Sequence, residues 1–426
     1  MSFTRRSPLL VLAVAVLMAA ATVTAGAQTT TTTAPKGGNK GRAAATTTTA
    51  TAGAVRGVTP TSITVAGLGS GSLGTDAQVG AKARFDRANA AGGVNGRTIN
   101  FQGVTDDGST PDGNKTTAAK LVDGGAFAVE PAVALDMASA NDLVNAQMPY
   151  FGWALSSDFC GNGFGFGFSG CIAASGLTTD IWGKLVKQTF TAPNPFGDTA
   201  AVLTDNSPAG QYALKATSAG LKAAGLKVTY AQASLPLPPS GDYGALLKDA
   251  LVSNATKPPR AIFVVGAYSN VAGVQQALRD AGYFGTFTNL VQYDPNLVAL
   301  SSGASVFVQT AATESASTVP AMQQLVADVQ KVAPDQPINQ SVIAGYLSAD
   351  LFLAAVQKAG KNLTVGRLVS AANSRFTYLL DGVAGPTKFP AAHDAPTPCG
   401  SLVRSTGTAF QIAAAYSCGK VVKVPG

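Results

Sequence analysis

One histidine, His393, and two glutamates, Glu130 and Glu314, are all that 426 residues supply of these acid–base side chains. His393 stands beside Asp394 near a Pro-rich loop, which makes no catalytic triad, and no Gly-x-Ser-x-Gly elbow occurs. Asp106 and Asp107 are adjacent at a strand end, so their side chains point apart and cannot form a hydrolase dyad. The Gly-rich turn near Gly67 lacks the lysine of a phosphate-binding loop. No enzyme, catalytic residue or cofactor is expected. The four cysteines show no CxxC spacing and there is no HxxxH, which excludes a zinc site. Charged residues are scarce at 12%, yet 46% of the chain is hydrophobic, which excludes general disorder.

The net charge of +7 suggests nucleic acid until it is located. Arg5, Arg6, Lys36, Lys40, Arg42 and Arg56 precede every acidic residue, leaving 24 basic against 23 acidic residues from Gly57 onward. The folded portion is near neutral, and no nucleic-acid partner is expected.

The N-terminus reads as an export signal: Arg5-Arg6, an apolar stretch Leu9 to Ala21, then Ala25-Gly26-Ala27 before Gln28. The apolar run is shorter than the roughly 20 residues of a spanning helix, and Arg5-Arg6-Ser7-Pro8-Leu9 matches the twin-arginine pattern only loosely. Threonine runs at Thr29 to Thr33 and Thr46 to Thr49 make residues 28–56 a flexible spacer or an O-glycosylated linker. In an exported chain four cysteines favour disulfides, and the short-loop pairings Cys160–Cys171 and Cys399–Cys418 are expected of the three connectivities.

Ile63, Val65 and Leu68 form an apolar run suited to a buried parallel strand, broken by Gly67, Gly69, Gly71 and Gly74. A helix follows over Gln78 to Ala90, stopped by Gly92-Gly93, and Asn95-Gly96 turns the chain into a strand from Thr98 to Gln102. Strand and helix then alternate: helix Asn114 to Gly124, strand Ala126 to Val129, helix Ala134 to Asn145, strand Pro149 to Trp153. A second series runs from the helix Thr178 to Thr189 through strands at 199–204, 227–231 and 261–265 to the helix Asn270 to Ala281. Such alternation predicts parallel sheets covered on both faces. Helices are expected at Pro320 to Val332 and Gln340 to Gly360, and a strand, turn and strand over Phe410 to Tyr416, Ser417-Cys418-Gly419 and Lys420 to Val424.

The segment Gly57-Val-Thr-Pro-Thr-Ser-Ile-Thr-Val-Ala-Gly-Leu-Gly-Ser-Gly, the helix end Arg87-Ala-Asn-Ala-Ala-Gly-Gly-Val-Asn-Gly-Arg97 and Thr98-Ile-Asn-Phe together resemble the start of the leucine/isoleucine/valine-type solute-binding proteins of ABC importers. The resemblance covers roughly Gly57 to Val424. It implies an α/β fold of two doubly wound parallel-sheet lobes joined by a hinge, the type I periplasmic-binding-protein architecture. It also implies an exported monomer that captures a small organic ligand for an ABC permease in the membrane. A wall-associated sensory or interaction protein using the same fold is the alternative. The organisation expected is a signal peptide (1–27), a linker (28–56), lobe 1 (57–174 and 313–385) and lobe 2 (175–312, with C-terminal strands in 386–426). No lipid-bearing cysteine ends the signal.

Ligands of open parallel sheets bind at the carboxyl ends of strands. The loops there nominate Ser70, Gly71 and Ser72, the turn containing Pro131 and Ala132, and Gly152 and Trp153 in the first lobe. The second lobe offers Asp205, Asn206, Tyr268, Tyr293 and Asp294. Ser70 is a turn residue or a ligand donor, Trp153 core or contact, and Asp205 a helix cap or contact. The resemblance places Tyr268 where relatives put a ligand-contacting tyrosine. It also marks two departures: the first-lobe turn Glu130-Pro-Ala-Val-Ala lacks the usual hydroxyls, and only Asp294 could pair a ligand ammonium. Phe164, Phe166 and Phe168 alternate with glycine, which places three rings on one face, bordering the cleft or packing on the lobe.

Overall fold

The computed structural model describes residues 54–172, 176–190, 197–239 and 241–426. The expected signal peptide and all but the last three residues of the linker lie outside the described residues.

In the first lobe β1 (Ser62–Gly69), α1 (Gly71–Ala90), β2 (Thr98–Asp106), α2 (Pro111–Asp123), β3 (Ala128–Val133), α3 (Ala140–Asn145), β4 (Tyr150–Gly152) and β5 (Gly165–Gly167) follow one another. The strands pair in parallel in the order β2-β1-β3-β4-β5. A short crossing strand, β6 (Leu177–Thr179), leads through α4 (Ile181–Gln188) into the second lobe. There β7 (Thr199–Asp205), α5 (Pro208–Ala223), β8 (Lys227–Leu235), α6 (Tyr243–Leu251), β9 (Ala261–Val265), α7 (Tyr268–Asp280), β10 (Thr286–Asn289) and β11 (Ser305–Val308) repeat the pattern. The parallel order β8-β7-β9-β10-β11 matches that of the first sheet.

The chain then returns through α8 (Pro320–Val332), α9 (Gln340–Ala359), α10 (Val365–Asn373) and the hairpin β12 (Phe376–Leu380) and β13 (Ala384–Phe389). It crosses once more into β14 (Cys399–Ser405) and β15 (Phe410–Cys418), which extend the second sheet antiparallel beside β11. The final strand, β16 (Val421–Lys423), pairs with β6 rather than with β15, so the C-terminal turn does not close a hairpin. The boundary expected at 385/386 falls inside β13.

Helix α9 is long and apolar because it is buried on nearly every side, from Ser341 to Val356. It lies so close to α1 that a Cβ at Gly80 would overlap the Val342 carbonyl, and one at Gly345 the Ala77 carbonyl. That backbone approach requires glycine at both places. Three expectations fail locally. The helix expected from Thr178 begins at Ile181, because Thr178 and Thr179 belong to the crossing strand β6. Helix α1 begins at Gly71, seven residues before Gln78, because the Gly/Ser segment after β1 serves as its first turn. The helix expected from Ala134 begins only at Ala140, since 134–139 form the loop at the end of β3.

Candidate functional site

A doubly wound sheet opens a crevice where neighbouring strands send their connections to opposite faces. In the first lobe that point lies between β1 and β3, and Ser70 fills it. Its backbone N–H donates to the Val133 carbonyl at 3.1 Å, its hydroxyl donates to Asp107 Oδ2 at 3.1 Å, and it accepts from Leu135 N–H at 3.1 Å. Ser70 is 3% exposed, which makes it a latch between strand ends. Asp106 Oδ1 takes the N–H groups of Gly71 (2.9 Å) and Gly108 (3.0 Å), and Asp107 Oδ1 takes that of Ser109 at 2.8 Å. Ser72 is exposed on the first turn of α1. Asp136 follows β3, its carboxyl raised above the usual range by burial and by the charges of Asp158 and Asp107.

The corresponding point in the second lobe lies between β7 and β9. Asp205 ends β7 and accepts from the Ser207 backbone N–H at 3.0 Å. Ser207, not Asp205, caps α5, accepting from Gly210 N–H at 3.0 Å. Asn206 between them is exposed. Tyr268 opens α7, half-buried, and its hydroxyl has no partner among the described residues. Burial raises its pKa.

Several side-chain contacts among the described residues join the lobes. Trp153, just past β4, donates its indole N–H to Gln309 Oε1 at 2.7 Å and lies near-parallel to Phe168, ring centres 6.5 Å apart. Gln309 directly follows β11. Asn339 caps α9 with its side-chain oxygen, while its amide donates to Asp76 Oδ2 of α1 at 2.7 Å and to Asp294 Oδ2 of the second lobe at 3.5 Å. Burial raises the Asp76 pKa and the Asp294 charge adds to the rise, against hydrogen bonds from Asn339 and Gln336. Tyr293, 5% exposed, donates to Glu314 Oε2 at 3.0 Å and accepts from Thr313 N–H at 2.8 Å.

A family model for periplasmic binding proteins matches residues 59–409. The chain belongs to that family. It is a two-lobed solute-binding protein. No curated protein sequence is similar to it. Among solved structures it is similar to a fatty acid ABC transporter substrate-binding protein from Thermomonospora curvata, at 20% identity and TM-score 0.64 over 87% of this chain and 97% of that one. A solute binding protein of an ABC transporter from Rhodopseudomonas palustris BisB5, in complex with 3,4-dihydroxy benzoic acid, is 16% identical, with TM-score 0.61 over 86% and 99%. The branched-chain amino acid transporter substrate binding protein LivJ from Streptococcus pneumoniae, in complex with isoleucine, is 17% identical, with TM-score 0.58 over 84% and 99%. At these identities the likeness establishes the shared fold.

In this solute-binding protein the residues nominated from sequence divide sharply. Trp153, Asp294, Tyr268, Ser72 and Asn206 keep accessible surface at strand ends. Pro131 and Ala132 do not: they lie inside β3, which runs on to Val133, so the expected turn is strand and both residues are buried. Gly152 is also enclosed, a Cβ there overlapping the Ala132 carbonyl. Tyr293 is packed against Phe410, ring centres 5.3 Å apart, and serves the lobe junction. The three phenylalanines do not share a face. Phe166 and Phe168 join the core cluster around α9, whereas Phe164, preceding β5, packs on the opposite cluster.

Asp76, Gln309, Thr313 and Asn339 went unnominated. Asn339 before a long apolar helix carries a helix-cap signal, but nothing local marks its second role of bridging two carboxylates. The disulfides Cys160–Cys171 and Cys399–Cys418 are formed as paired above. Among the described residues no group of three or more His, Cys, Asp or Glu could hold a metal ion. Two surface hollows, one beside α3 and the 160–164 loop, the other between α9 and α10, lie away from the strand ends.

Proposed function

We propose that this protein captures a small organic molecule between its lobes outside the cytoplasm and delivers it to an ABC permease. The observation that carries the reading is the repeated strand order. Both sheets present the same 2-1-3-4-5 arrangement, and Trp153, Asn339 and Asp294 stand where the lobes meet. Closing such lobes sequesters a ligand from water and gives the permease a distinct closed shape to recognise. The N-terminal export signal and threonine-rich tether read from the sequence fit a monomer held outside the membrane. The names of the similar structures span fatty acid, aromatic acid and branched-chain amino acid ligands, so the ligand class must come from this cleft. A thermal-shift screen of amino acids, amides, amines, aromatic acids and fatty acids tests the reading. A ligand that raises the midpoint progressively, as the logarithm of its concentration once that exceeds the Kd, supports capture, and a silent screen refutes it.

A further inference from the structure

Resting on the reading that the lobes open and close around a ligand, we infer that Asp76 and Asp294 form an acid-sensitive latch between them, which favours the joined arrangement at acidic pH and its release toward neutral pH. Asp76 lies in the second turn of α1 in the first lobe, and Asp294 follows β10 in the second. One amide reaches both. Asn339 Nδ2 donates to Asp76 Oδ2 at 2.7 Å and to Asp294 Oδ2 at 3.5 Å, which leaves the two carboxylates close enough for like charges to repel.

The amide belongs to the first lobe. Asn339 Oδ1 accepts the N–H groups of Ser341 at 3.0 Å and Val342 at 3.1 Å, which fixes the side chain to the start of α9, and Gln336 Nε2 donates to Asp76 Oδ1 at 3.2 Å. Asp294 is oriented by its own lobe, through Asn296 N–H at 2.8 Å. Parting the lobes therefore carries Asp294 away and leaves Asp76 with both amides.

Among the described residues no lysine or arginine pairs with either acid. On α1 itself Lys82 is turned to Asp86; α8 brings Asp328, paired with Arg87 and Lys331, and α9 brings Asp350, paired with Arg84. In β3 the buried Glu130 meets Ser348, and β2 ends on Asp106, which holds the N–H groups of Gly71 and Gly108. Asp335 is exposed in the loop after α8, and Glu314 accepts from Tyr293 where the chain recrosses. Of the surrounding charges only that of Asp294 acts on the Asp76 carboxyl, adding to the rise that burial causes.

A proton on Asp76 removes the repulsion across the junction. The joined state, in which Asp294 stands close, thus holds a proton that the parted state gives up. By linkage the balance moves toward the parted state as pH rises through the joined-state pKa, by at most about tenfold per pH unit.

Small-angle X-ray scattering of the purified protein without ligand, between about pH 4 and pH 7, tests the latch. The wild-type radius of gyration is expected to grow as pH rises, Asp76→Asn to stay at the compact value throughout, and Asp294→Asn to show a smaller rise at lower pH. A wild-type radius that does not change with pH overturns the latch. So does either variant if it expands as the wild type does. Capture is judged separately, by whether a ligand raises the unfolding midpoint, so the two readings fail independently.

Discussion

Glu130 has no exposed surface, and its only side-chain partner among the described residues is Ser348, whose hydroxyl lies 2.6 Å from Glu130 Oε2 and 3.0 Å from the Phe151 carbonyl. One hydroxyl hydrogen cannot serve a carboxylate and a carbonyl together. If Glu130 is protonated, its O–H donates to Ser348 Oγ and the Ser348 O–H donates to Phe151, an unbroken chain. Burial pushes the carboxyl well above its ordinary value, with the Ser348 hydrogen bond opposing. In the unfolded chain Glu130 titrates near pH 4.3. From there up to its folded-state pKa the native protein binds one more proton than the unfolded one, so stability falls as pH rises. The slope is about 1.4 kcal/mol per pH unit over the range in which the folded protein keeps this proton and the unfolded chain does not.

Glu130→Gln keeps the shape, supplies an N–H donor to Ser348 and does not titrate. Its stability relative to wild type is therefore expected to improve steadily from pH 5 upward. Urea unfolding of both proteins at several pH values, with the slopes checked for equality, measures the difference. Parallel pH profiles would refute the reasoning, because they would mean that Glu130 is ionised in the folded state or that its charge costs nothing there.

Tyr268→Ala places a good helix former at the start of α7 and is expected to weaken binding of a ligand found by the screen by about 1–3 kcal/mol with little change in unfolding midpoint. Trp153→Ala should show both losses, since it also removes the bond to Gln309; unchanged affinity in both variants would return the two rings to packing roles. Replacing Cys160 and Cys171 by serine is expected to lower stability by about 2–4 kcal/mol, measured by denaturant unfolding, and peptide mapping without reductant should recover both bridges. Asn339→Ala removes the α9 cap and the amide that separates Asp76 from Asp294, so a loss of about 1 kcal/mol or more is expected, with a larger radius of gyration by X-ray scattering if the contact helps hold the lobes together.

Strand β9 was bounded correctly because Ala261-Ile-Phe-Val-Val is continuous apolar sequence between turn signals. The short strands β5 and β6 occupy three residues each, too few for periodicity to register, and β5 is built on Gly165 and Gly167, whereas β4 falls within the strand expected at Pro149 to Trp153. Strand-end positions were legible where the strand boundary could be read, as at Asp205 and Tyr268. They were misplaced where the strand ran on, as at Pro131 and Ala132 in β3. Asp76 and Asn339 meet across 263 positions, and nothing local signals such an encounter.

The crossings between the lobes are tied to one another by hydrogen bonds. Thr387 donates its hydroxyl to the Phe168 carbonyl, Thr397 N–H donates to Ser169 at 2.8 Å, and Cys171 N–H donates to Ala392 at 2.8 Å, which ties the first and last crossings together. Ser401 donates to the Thr310 carbonyl at 2.7 Å, which adds the middle one. The disulfides stand on either side of this bundle rather than across it. Cys160–Cys171 closes the loop around β5 in the first lobe, and Cys399–Cys418 joins β14 to β15 in the second. Rotation about the crossings therefore strains neither bridge. If the lobes close on a ligand as proposed, these transverse hydrogen bonds would make the three segments bend together, confining the motion to an opening and closing felt at the strand ends of Trp153 and Asp294.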